Sequence, residues 1–98
     1  MFEPRVSLIT LGVADVAASR RFYEALGFVA ASSSQPAIAF FQIGGSALAL
    51  FSRASLAEDA CVDNVEPGFS GITLAYNCRS EADVDAAFAH ALACGATM

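Results

Sequence analysis

Hydrophobic and polar positions divide the chain into a few clear elements. Residues 6–13 read V-S-L-I-T-L-G-V, apolar on both faces, as a strand covered on two sides should be. Strand alternation sends Ser7, Ile9, Leu11 and Val13 one way and Val6, Leu8, Thr10 and Gly12 the other. The bulky aliphatic set predicts packing against a helix. The second set, with its hydroxyl and its glycine, predicts the wall of a cavity.

Asp15 is a good helix N-cap, because its carboxylate can accept from the first free backbone N–H groups. Beyond it Val16, Ser19, Tyr23 and Leu26 fall on one helical stripe, with Arg20, Arg21 and Glu24 mostly outside it. Gly27 supplies the left-handed residue that ends the helix. Residues 28–31 are expected to return as a short strand, and S-S-S-Q-P at 32–36 as a turn.

Residues 37–52 form the clearest hairpin, A-I-A-F-F-Q-I and S-A-L-A-L-F-S around Gly44-Gly45. A two-residue glycine loop favours a primed turn, which fixes the register. Ile43 then faces Ser46, Phe41 faces Leu48 and Ala39 faces Leu50 on an aliphatic, core-like side. On the other side Gln42 faces Ala47, Phe40 faces Ala49 and Ile38 faces Phe51. Aromatics set against alanines around one amide suit the wall of a small-molecule pocket. They also suit a filled core, and the sequence leaves both readings open.

Residues 53–70 hold most of the acidic side chains with Pro67 and Gly68, and read as a connection with a helical turn near 54–60. From Gly71 the opening repeats: I-T-L of 9–11 returns at 72–74, Val16 matches Val84, Ser19 matches Ala87 and Gly27 matches Gly95. Ser80 with Asp83 makes a capping box for a second helix, whose expected buried stripe is Val84, Phe88 and Ala91. Matched caps and terminal glycines point to duplication.

Composition narrows the function classes. With 98 residues the chain makes one small domain, and 56% hydrophobic against 15% charged residues makes it globular. The formal net charge of −5 argues against nucleic acid, which needs a basic face. No apolar run approaches a membrane span, and Met-Phe-Glu-Pro-Arg is no secretory signal, so a cytoplasmic protein is expected. Cys61, Cys78 and Cys94 are odd in number and widely spaced, which favours free thiols; none carries a neighbouring His or Lys motif.

The stretch T-L-G-V-A-D-V-A-A-S-R-R-F-Y-E-A-L-G-F resembles the vicinal oxygen chelate superfamily, which groups glyoxalase I, bleomycin-resistance proteins and extradiol dioxygenases. The resemblance rests on V-x-D, S-x-x-F-Y and L-G-F, met here by Val13, Asp15, Ser19, Phe22, Tyr23, Leu26, Gly27 and Phe28. The Gly-Gly hairpin and A-x-G-A at 93–96 extend it over nearly the whole chain. It implies an α+β fold: one β-α-β-β-β module at about 5–52, a connection at about 53–70, and the first strand and helix of a second module at about 71–98. Relative to such proteins the chain looks truncated, stopping where a sixth strand would start. An open second module would leave a strand edge unpaired, so a homodimer partner or further chain is expected to cover it.

The resemblance also implies where a divalent cation would be held. The first His seat of glyoxalase-like members, seven positions before the Asp of V-x-D, falls on Leu8. The Glu seat on the fourth strand falls on Ala49, and the second module's His seat on Gly71. None of these side chains has a lone pair to offer, so neither a metal nor another cofactor is expected. His90, the single histidine, lies off the second helix's apolar stripe and is expected to face solvent. No catalytic residue is assigned.

What remains is an apolar, partly aromatic groove. Its expected ligand-binding residues are Leu8, Thr10, Phe40, Gln42, Phe51 and Thr73, with the threonines and the amide orienting a small organic ligand. The leading expectation is a metal-free, small-molecule binding protein of the bleomycin-resistance-like type. A metal-dependent glyoxalase, lyase or dioxygenase with ligands outside the visible seats is the alternative. A structural dimerisation unit, its groove filled by its own side chains, is the third.

Overall fold

The computed structural model describes residues 2–98. The chain divides into two compact units, one ending at Asn64 and one beginning at Val65. That boundary falls inside the expected connection.

The first unit is a three-stranded sheet with two helices. Its elements are β1 (Leu8–Val13), α1 (Val16–Leu26), β2 (Ile38–Ile43), β3 (Ser46–Ser52) and α2 (Arg53–Asp59). The strand order is β1-β3-β2, with β1 parallel and β2 antiparallel to β3. A parallel β1–β3 pair requires a long crossover, and α1, the return loop and β2 together supply it.

Local sequence explains each boundary. The Asp15 carboxylate accepts from the Ala18 N–H at 3.1 Å and starts α1. Gly27, with φ 118°, stops it while its N–H bonds back to the Glu24 carbonyl. A primed hairpin turn needs a positive φ at its first central residue, and Gly44 meets it with φ 68°. All six hairpin pairs from Ile38–Phe51 to Ile43–Ser46 form in the register expected from the sequence.

The expected strand at 28–31 shrinks to a single bridge between Ala30 and Phe41. The Ser34 hydroxyl explains this, because it accepts from the Phe40 N–H at 2.9 Å and turns the loop before a second rung can form. Beyond the hairpin, the Ser52 hydroxyl accepts from the Ser55 N–H and opens α2 directly.

The core lies on one sheet face. Ala39, Phe41, Leu48 and Leu50 are buried, and Ile9, Leu11, Val13, Val16, Tyr23 and Phe28 pack against them. Tyr23, Phe28 and Phe41 form an aromatic triangle with ring centroids 5.4, 5.9 and 6.0 Å apart. Such pairs add about 0.5–1.5 kcal/mol each beyond burial. Their geometry anchors α1 to the odd-numbered side of β1, which is the face predicted for helix packing.

The second unit differs from expectation. Its helix α3 (Glu81–Ala93) begins as predicted, with the Ser80 hydroxyl accepting from the Asp83 N–H. The strand expected at 72–74 does not form: this segment joins no ladder among the described residues, and Ile72 is 65% exposed. A lone strand cannot satisfy its own backbone groups, and no neighbouring strand in this unit offers pairing. The second unit has no strand of its own among the described residues, and the stripe on α3 is not buried. Val84 and Phe88 are each 52% exposed and Ala91 is half-buried. The thiols are free, as expected, but Cys94 does have a histidine neighbour, with the His90 Nε2 atom 3.7 Å from its Sγ.

Candidate functional site

The sheet face away from α1 carries the residues singled out in the first unit. Strand register sets them in three rows, each running β1, β3, β2. The rows are Leu8–Ala47–Gln42, Thr10–Ala49–Phe40 and Gly12–Phe51–Ile38. Leu8, Thr10, Phe40, Gln42 and Phe51 therefore share one surface although they come from three strands. Thr73 belongs to the second unit, is exposed and joins no strand, so no ladder brings it to this surface.

The rows are graded in exposure and polarity. Ala49, at the centre, is fully buried between its register partners Thr10 and Phe40. Leu8 is 45% exposed and Gln42 is exposed at the hairpin end, whereas Thr10, Phe40 and Phe51 are half-buried. The Gln42 Nε2 atom donates to the Gly44 carbonyl at 2.6 Å, which holds the amide over its own turn. One hydroxyl, one amide and two aromatic rings on an aliphatic floor can stack a planar group and orient it.

The far corner is closed by α2. A methyl group placed on Gly12 would lie 3.2 Å from Leu56 Cδ2 and 3.4 Å from the Arg53 backbone, so glycine allows this close approach. The same contact sets Arg53 beside the third row, a cationic side chain the sequence reading passed over as part of the connection. The signal was present in its position, directly after a strand that alternates as far as Ser52 and at the start of a helix capped by that serine.

The fold and this surface define a module of the glyoxalase-like class. The model of the Glyoxalase/Bleomycin resistance protein/Dioxygenase superfamily matches residues 5–98, and the chain belongs to that superfamily. Among solved structures it is similar to a glyoxalase-related enzyme from Fulvimarina pelagi, at 36% identity and a TM-score of 0.82 over 95% of this chain and 66% of that one. It is also similar to a glyoxalase/bleomycin resistance protein/dioxygenase from Nocardioides, at 30% identity and a TM-score of 0.72 over 97% of this chain and 64% of that one. A lactoylglutathione lyase from Agrobacterium tumefaciens shares the fold, at 21% identity and a TM-score of 0.61 over 93% of this chain and 70% of that one. The chain thus spans about two thirds of the length of these proteins. No curated protein matches it significantly.

The residues present do not fit the divalent cation that the resemblance implies. Leu8 and Ala49 both sit on the face described, and neither side chain has a donor atom. Gly71 in the second unit has none either. The polar groups that do stand on the face, Thr10 and Gln42, are a neutral hydroxyl and an amide, poor substitutes for imidazole and carboxylate. Among the described residues no three His, Cys, Asp or Glu side chains gather where they could hold a metal.

Proposed function

We propose that this chain binds a small organic molecule with a planar, apolar body, without a metal, on the sheet face built by β1, β3 and β2. The observation that carries this reading is the middle row: Thr10 and Phe40 flank Ala49 where a carboxylate ligand would be needed for metal chemistry. Phe40 and Phe51 supply stacking and burial, Leu8 completes the apolar rim, and Thr10 with Gln42 sets orientation. Thr73, the sixth residue expected from the sequence, lies in the second unit, where it is exposed and joins no strand. The family description spans glyoxalases, bleomycin-resistance proteins and dioxygenases, and nothing singles out the bleomycin-resistance type.

Association into a homodimer completes the reading. On its free side β1 is an edge of the sheet, and large apolar side chains such as Phe69 and Tyr76 are more than 80% exposed in the second unit. Both are features that a second copy would cover. A nucleic-acid partner does not suit a chain of net charge −5, and no helix among the described residues is long and apolar enough to cross a membrane. A cytoplasmic setting fits the three free thiols.

The test is a screen of aromatic and heteroaromatic metabolites by thermal shift, repeated after exhaustive chelation. A hit that is indifferent to chelation and weakened at least tenfold by Phe40→Ala supports binding at this face. Binding or turnover that disappears on chelation and returns with a divalent ion transfers the protein to the metal-dependent lyase or dioxygenase class.

A further inference from the structure

Arg53 brings a cation to a sheet face that otherwise has no charge. None of the residues in the three rows carries one. By strand alternation the absent side chain of Gly12 points to the same side as Leu8 and Thr10. A methyl group placed there would stand 3.4 Å from the Arg53 Cγ atom. The stem of Arg53, and not its backbone alone, therefore lies over this end of the face. Gly12 is the register partner of Phe51, so the cationic side chain and an aromatic ring flank the same row.

No carboxylate neutralises that cation. Arg53 is half-buried and makes no ion pair among the described residues. The acids of its own helix, Glu58 and Asp59, are exposed and stand beyond the spacing of three or four residues that makes helix neighbours. A half-buried guanidinium has lost part of its water and gains more from an anion than a fully exposed one does. Its aliphatic stem can cover apolar surface while the planar head presents a fork of donors that fits a carboxylate.

We infer that the ligand of this face is an aromatic carboxylate, its ring against Phe40 and Phe51 and its carboxylate held by the Arg53 guanidinium. This rests on the proposal that the face binds a planar molecule, and it adds the charge which that molecule carries. Successive rows stand two residues apart, about 6.6 Å along a strand, a length that a ring bearing a carboxyl group spans. One guanidinium balances one negative charge and the face has no second cation. A monoanion suits it, whereas a phosphate dianion would keep a charge without a partner.

The experiment titrates the full chain with 2-naphthoate and with its neutral counterpart 2-naphthamide, followed by fluorescence at neutral pH. The inference expects the carboxylate to bind at least tenfold more tightly than the amide. Arg53→Gln is expected to remove that preference by weakening naphthoate at least tenfold while leaving naphthamide within about twofold. Arg53→Lys, which keeps the charge and loses the fork, is expected to restore part of the naphthoate affinity. The α2 cap is the Ser52 hydroxyl, so both variants retain it, which far-ultraviolet circular dichroism checks. Phe40→Ala is expected to weaken both probes. Equal affinity for the two probes, or a naphthoate affinity unchanged by Arg53→Gln, overturns the inference while the Phe40 dependence keeps the binding face. Binding of neither probe, or binding indifferent to Phe40→Ala, overturns the proposed face itself and the inference with it.

Discussion

Thr10 of β1 and Ala49 of β3 are register partners on the sheet face away from α1, and Ala49 there has no solvent exposure. The centre of the candidate site is therefore a methyl group, closed from water and flanked by a hydroxyl and a phenyl ring. Ala49→Glu would bury a carboxyl group whose register neighbours offer no cation. A destabilisation of about 2–4 kcal/mol is expected, from overpacking together with an unpaired buried polar group. Urea unfolding measures it, and adding zinc or manganese is expected to restore none of the loss. Recovery by either ion would show that a usable metal seat survives beside Leu8.

The aromatic triangle makes a prediction about alkaline pH. Burial raises the Tyr23 hydroxyl above its ordinary pKa of 10.0. The folded chain then holds this proton more tightly than the unfolded chain does. Below pH 10.0 both states keep it and Tyr23 adds no pH dependence. As pH rises beyond that value the unfolded chain releases the proton first, so stability falls. Tyr23→Phe is expected to remove part of that fall while leaving stability at neutral pH within about 1 kcal/mol. Chemical denaturation at neutral and alkaline pH measures the difference, and an equal alkaline loss in both proteins would refute it.

Gly12 marks where the sheet meets α2. A methyl group there would stand 3.2 Å from the end of the Leu56 side chain and 3.4 Å from the Arg53 backbone. The first contact is soft, because a leucine can turn; the second is not. Gly12→Ala is expected to cost about 1 kcal/mol, and Gly12→Val, which adds bulk toward the Arg53 backbone, about 2–3 kcal/mol. Leu56→Ala in the Gly12→Ala background should recover little, because the backbone contact remains. Recovery of the whole loss would place the strain on Leu56 alone.

Local codes explain why so much of the first unit was legible in the sequence. Asp15, Gly27 and the Gly44-Gly45 pair each act within a few residues of themselves. Alternation then carries the hairpin register outward, so that Phe41 and Leu48 had to share the core face and Phe40 and Ala49 the opposite one. Arg53 was missed because its role comes from the approach of α2 to Gly12, a contact no short window encodes. The His90–Cys94 contact contradicts the expectation that no thiol has a histidine neighbour, because residues four apart in sequence become neighbours only once the helix has formed.

The repeat of I-T-L at 72–74 shows the opposite limit. The first copy becomes a strand because β3 offers it a ladder from Leu8 to Val13. The second copy has the same letters and no such neighbour in its unit. Capping signals suffice to start and stop α3, but burial requires a sheet, and Phe88 is left half in water. Helices in this condition draw little stability from packing and open readily. Amide hydrogen exchange at neutral pH is expected to divide the 98-residue chain accordingly. Amides of Leu48–Leu50 should exchange through global unfolding, whereas those in the middle of α3 should exchange at least a hundredfold faster, through local opening worth about 3 kcal/mol less. Equal protection in β3 and α3 would mean that the second unit's apolar side chains are covered in solution. A dependence of that protection on protein concentration would identify the cover as a second copy.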